Sequence, residues 1–148
     1  MSVFDSFNIN ASGLTLERLK LDTISSNIAN ANTTRTAEGG PYQKQTVQFE
    51  ESFKRSQANL AQDNLGTSNQ KSMGVRVTGI TKDQQTAELS YDPTHPDADE
   101  FGYVRLSNVN VATEMIDLMS AVRSYEANVS AFESSKNMMK KALEISKD

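Results

Sequence analysis

Toward the C-terminal end, Val111, Met115, Leu118, Val122, Tyr125, Val129, Phe132, Lys136, Met139 and Leu143 recur at alternating gaps of four and three residues. Nine of these ten positions are apolar or aromatic. A 3.5-residue period held over more than four heptads predicts a long helix with an apolar seam. Ala112, Ile116, Met119 and Ala142 flank that seam and widen it, so the helix has surface for more than one neighbour. Asn108 or Asn110 can cap its start; Glu114 and Asp117 suit its positive end, and Lys140, Lys141 and Lys147 its negative end. From Asn110 to Ile145 it would run roughly 54 Å at 1.5 Å per residue. The N-terminal segment repeats the spacing through Phe4, Phe7, Ala11, Leu14, Arg18, Leu21, Ser25 and Ile28, with Leu19 and Ile24 alongside. Arg18 and Ser25 interrupt it, so this second helix has the weaker stripe.

Between the helices the pattern changes. Six of the seven Gly and all three Pro fall between Gly39 and Gly102, which leaves both ends free to be helical. The stretch "MGVRVTGITKDQQTAELSYD" alternates through Val75, Val77 and Ile80 and again through Ala87, Leu89 and Tyr91, predicting a hairpin that turns near Lys82 to Gln85. "YQKQTVQFEESF" predicts a further strand through Val47 and Phe49, and the polar run from Lys54 to Ser72 predicts a loop. The expected fold is mainly α with a small β-rich insert. Its N-terminal helix occupies 1–34, the insert 35–107 and the C-terminal helix 108–148. An insert this small has a marginal core and is expected to lean on the helices or on neighbours.

Composition narrows the chemistry. A hydrophobic share of 36% and a mean hydropathy of −0.56 are lean for one large core in 148 residues. Net charge is −4 with the signs interspersed, which disfavours nucleic acid and anionic lipid as partners. The absence of cysteine excludes disulfides and thiol catalysis. The N-terminus "MSVFDSFNIN" has neither the basic nor the apolar region of a cleaved signal peptide, and no apolar run approaches a membrane span. The single histidine, His95, sits among Asp92, Asp97, Asp99 and Glu100 in "YDPTHPDADEFG". That spacing does not match an EF-hand loop and, with Pro93 and Pro96, reads as a shaped turn. Phosphate-binding glycine loops and a GxSxG elbow are absent too, so no enzyme, cofactor or metal is expected.

The stretch "TISSNIANANTT", Thr23 to Thr34, is a puzzle for any reading based on helix propensity. Asn, Ser and Thr compete for backbone hydrogen bonds and weaken a helix interior. Extended to "LDTISSNIANANTTRT", Leu21 to Thr36, it resembles the N-terminal signature of the axial proteins of the bacterial flagellum. "GGPYQKQTVQFE", "YDPTHPDADEFGYV" and the segment Asn108 to Ile145 narrow the resemblance to rod proteins of the basal body, those of the proximal rod in particular. The resemblance covers most of the chain.

It implies terminal helices paired as a coiled-coil-like inner domain around the axis of a tubular rod, with the insert facing outward. It further implies export as an unfolded chain by the flagellar type III apparatus, without a cleaved signal. The partners implied are other rod proteins, further copies in a helical assembly and the export-gate adaptor at the rod base. Such a rod is a drive shaft carrying motor torque. The expected subunit interface is then Phe4, Phe7, Leu14, Leu21 and Ile28 with Val111, Met115, Leu118, Val122, Tyr125, Val129, Phe132, Met139 and Leu143 of the C-terminal seam. Asn27, Ile28, Ala29, Asn30, Asn32 and Thr33 form the signature, and their amides are expected to set register between subunits. A free chain with unpartnered stripes is expected to be only partly ordered.

Two other readings stand beside this one. A soluble helical adaptor or secretion chaperone would use the same stripes to hold a client. A hydrolase of cell-wall polymer would need paired carboxylates in an apolar setting, and no pair stands out.

Overall fold

The computed structural model describes residues 3–55, 70–84 and 88–145. Two long helices bracket the chain, α1 over Val3–Ala29 and α2 over Val111–Ile145. Between them lie β1 (Gln45–Arg55), β2 (Gln70–Lys82), β3 (Leu89–Tyr91) and β4 (Tyr103–Arg105). The start of α2 falls where the periodicity placed it. Asn110 is the cap: its Oδ1 accepts from the amides of Ala112 (3.0 Å) and Thr113 (3.2 Å), two of the donors that a helix start leaves orphaned. Asn108 has a different task. Its Oδ1 accepts from the Lys44 amide at 2.7 Å and its Nδ2 donates to the Asp83 carbonyl at 3.1 Å, tying the approach to α2 to the base of the β1–β2 pair.

α1 and α2 lie side by side and antiparallel. The rings of Phe7 and Phe132 meet edge to face with centroids 5.0 Å apart. At Gly13 the Asn128 side chain lies against the α1 backbone, since a Cβ built there would be 3.1 Å from Asn128 Nδ2. At the other end Asn27 reaches Glu114.

The β segment pairs differently from expectation. β2 does not fold back on the run through Leu89 and Tyr91; it pairs antiparallel with β1, from Gln45 opposite Lys82 to Arg55 opposite Gln70. Both runs alternate, so local pattern left the partner open. The choice is made by tertiary contact, since Val47, opposite Ile80, is buried. The two ends of the expected Lys54–Ser72 loop belong to these strands, and its centre, like Ala87, lies outside the described residues. β3 pairs instead with β4, Leu89 opposite Arg105 and Tyr91 opposite Tyr103.

The corner joining β3 to β4 is closed by its own carboxylates. Asp92 accepts from the Thr94 hydroxyl at 2.7 Å and from the Thr94 amide at 3.0 Å, and these bonds, the hydroxyl's first, hold its carboxyl below the usual range. Asp99 accepts from the amides of Phe101 and Tyr103, and Asp97 accepts from the Thr34 hydroxyl at 2.8 Å. His95 Nδ1 accepts from the Asp97 amide at 3.1 Å. The acidic cluster thus shapes the backbone, as Asx turns do.

The buried set is small and mixed. Leu16, Tyr42, Val47, Val104 and Ala121 are its hydrophobic members, while the largest side chains buried completely are Glu114 and Asn27. A core whose biggest members are polar holds only if every polar atom is matched.

Candidate functional site

The face that α2 turns toward α1 is not the centre of its apolar seam. Glu114, Ala121 and Ser135 are buried and Asn128 is half-buried, a row with one residue every seven. Small and polar side chains let the helices come close, and the Ser135 hydroxyl is satisfied by the Ala131 carbonyl at 2.9 Å. Only one side of the predicted seam joins this contact: Leu118, Phe132 and Met139 are half-buried, with Val129 at the margin. The other side faces out. Met115 and Met119 are each 53% exposed, Ile116 63% and Leu143 62%, and Val111, Val122 and Tyr125 are exposed as well. The apolar exposure is contiguous along the helix and not scattered singly.

On α1 the buried positions are Leu16, Thr23 and Asn27, one residue or more off the predicted line. Phe7, Leu14, Leu21 and Ile28 are half-buried, whereas Ala11, Arg18, Ser25 and Ala29 are exposed. The Phe4 side chain lies outside the described residues.

The amide-rich stretch resolves into separate tasks. Asn27 is 1% exposed. Its Nδ2 donates to the Gln45 carbonyl and to Glu114 Oε2, both at 2.9 Å. Its Oδ1 accepts from the Tyr42 hydroxyl at 3.0 Å and the Gln45 amide at 2.9 Å. Two donors and two acceptors exhaust what a side-chain amide offers. Asn27 therefore joins α1, β1 and α2 within one chain, with all four of its hydrogen-bonding positions used there. Glu114 completes the hub: Lys44 Nζ lies 2.6 Å from its Oε1, an ion-pair contact off ideal hydrogen-bond geometry.

Asn30 closes the helix. Its Nδ2 donates to the Ser26 carbonyl at 2.9 Å and its Oδ1 accepts from the Thr33 hydroxyl at 3.2 Å. The Thr33 carbonyl in turn accepts from the Tyr42 amide at 3.0 Å. Asn32 and Ala29 are exposed and Ile28 half-buried.

A second clip, which sequence reading missed, fastens β2 to α1. The Ser12 hydroxyl donates to the Ile9 carbonyl at 2.7 Å and accepts from the Val75 amide at 3.1 Å. Gly74, buried with φ +96°, lets the strand come this near. The sequence signal was glycine inside a strand pattern, though β2 holds a second one at Gly79.

The molecule thus has a polar joint made within the chain on one side of its helices and an exposed apolar surface on the other. Among the described residues, no helix is long and apolar enough to cross a membrane. Residues 7–35 match the family described as flagella basal body rod protein, and residues 102–145 match the C-terminal family of the flagellar basal-body rod FlgEFG proteins. The flagellar basal-body rod protein FlgC of Borreliella burgdorferi is 44% identical, with 98% of each chain covered. FlgC of Bacillus subtilis is 43% identical over 99% of this chain and 100% of its own, and FlgC of Salmonella typhimurium 34% over 98% of both. Likeness at this level along the whole length shows the family: the chain belongs to the FlgC flagellar basal-body rod proteins and is a structural subunit of the rod.

Proposed function

We propose that this subunit builds the proximal part of the rod, a stiff tubular drive shaft, with α1 and α2 paired as a coiled-coil-like inner domain and the β insert outward. The observation that carries this reading is the half-exposed apolar seam of α2, where Met115, Met119 and Val122 face out while Glu114 and Ser135 face in. A chain folding for itself alone would turn the larger apolar residues inward. Other rod proteins, further copies and the export-gate adaptor at the rod base are the partners that cover the seam, and the subunit acts by position, without catalysis. Close-packed helices resist bending, which suits a shaft under torque. Export by the flagellar type III apparatus as an unfolded chain fits a core this small. The adaptor reading uses the same surface, but relatives of rod type along the full length favour the rod.

Met119→Glu tests the seam. An exposed position tolerates the change, so the free chain is expected to keep its stability to within about 0.5 kcal/mol. Cells carrying only this variant are expected to lose rods and swimming. Normal basal bodies and motility would overturn the assignment.

A further inference from the structure

Each helix carries a second stripe turned away from the helix pair, and the two stripes differ in kind. On α1 the exposed positions Ala11, Thr15, Arg18, Asp22, Ser25 and Ala29 follow alternating gaps of four and three, and most are short side chains. On α2 the exposed positions Met115, Met119, Val122 and Glu126 follow the same spacing with bulkier ones. Equal spacing lets the ridge of one run beside the groove of the other. We propose that the outer stripe of α2 docks antiparallel on the outer stripe of α1 in a second copy of this chain, with Met115 over Ala29 and Met119 over Ser25. The inference rests on the assembly reading above and adds which faces meet and in what register.

Charge supports the same register independently of shape. Arg18, Asp22, Arg123 and Glu126 are exposed, and none makes an ion pair with another described residue. Along α1 the order is Arg18 then Asp22; back along α2 it is Glu126 then Arg123. Placing Ser25 opposite Met119 in an antiparallel pair also brings Arg18 opposite Glu126 and sets Asp22 opposite Val122, next to Arg123, so the alignment that seats small on large also pairs one exposed charge with its opposite. Within the chain α2 already runs antiparallel to α1. Copies related by rotation and translation along a common axis keep their direction, so α2 of one copy meets α1 of the next in the required sense. The two surfaces are unlike, making the contact heterologous and open-ended, as a rod needs.

The cysteine-free chain permits a direct test. Ser25→Cys and Met119→Cys are placed in two separate copies of the gene, both chains are produced in cells lacking the parent chain, and isolated basal bodies are oxidised. The expected result is a disulfide-linked dimer joining one variant to the other, reproduced by Ala29→Cys with Met115→Cys and lacking with Ser25→Cys alone. A second arm reverses charge. Arg18→Glu is expected to lower rod yield several-fold, and adding Glu126→Arg to restore it. Basal bodies that contain both chains but give no mixed dimer, a Ser25→Cys homodimer or a link to a different rod protein would overturn this interface while leaving rod membership intact. Failure of the second reversal to restore yield would overturn it as well. Complete rods lacking the chain altogether would instead overturn the rod reading.

Discussion

Replacing Asn27 by Asp is expected to destabilise the chain by roughly 3–5 kcal/mol at neutral pH, the range for breaking a buried polar network from within. Asp keeps the shape of Asn but loses the two N–H donors now given to the Gln45 carbonyl and Glu114 Oε2. It also sets a second carboxylate against that of Glu114, with the single ammonium of Lys44 to serve both. The sign of the pH dependence follows. Two adjacent carboxylates resist double ionisation, so the penalty is full at neutral pH and shrinks under acid conditions, where the pair shares a proton. Asn27→Leu removes the charge problem but strands the Gln45 amide and carbonyl, the Tyr42 hydroxyl and Glu114; its penalty is expected to be similar and insensitive to the shared proton. Urea unfolding followed by circular dichroism at two pH values reads both variants. A loss below about 1 kcal/mol for Asn27→Asp would mean that the hub is not a structural joint.

Gly74→Val is expected to cost about 3–5 kcal/mol, combining a strained backbone with overpacking. A β-branched residue does not settle at φ +96°, and a Cβ there would collide with the Ser12 hydroxyl and come within 3.1 Å of the Ile9 Cα. The flexible member of that pair cannot simply swing away, because the Ser12 oxygen is held by the Ile9 carbonyl and the Val75 amide. Relief requires β2 to lift from α1. The expected signature is therefore local: amides of β1 and β2 lose hydrogen-exchange protection while those in the middle of α2 keep theirs. Uniform loss along the chain, or none, would contradict the role given to the Ser12 clip.

The long helices were legible because a 3.5-residue period over this many turns matches neither the two-residue alternation of a strand nor the irregular polarity of a loop, and the cap at Asn110 stood just ahead of it. The orientation of α2 was not legible. Pattern reading equates apolar with inward, whereas the inward row here is Glu114, Ala121, Asn128 and Ser135, selected by close approach to α1 and by the hub. The role of Asn27 was hidden for a related reason: its partners lie 15, 18 and 87 residues away in sequence. No local window contains them. The existence of β1, β2 and β3 followed from alternation, whereas the three-residue β4 was not foreseen; strand partner did not follow either, since β1, β2 and β3 all alternate. Of the amides in the family signature, the geometry places Asn27 in a joint and Asn30 at a helix end, while Asn32 is exposed.

Peroxide oxidation of methionine, read by mass spectrometry, tests most directly whether the outer surface of α2 is completed by other molecules. Met115 and Met119 are half exposed in the free chain, and exposed methionines are the ones open to oxidant. In intact basal bodies their oxidation is expected to slow by about tenfold or more, because neighbouring subunits cover them. Equal rates in free chain and assembled rod would contradict the account.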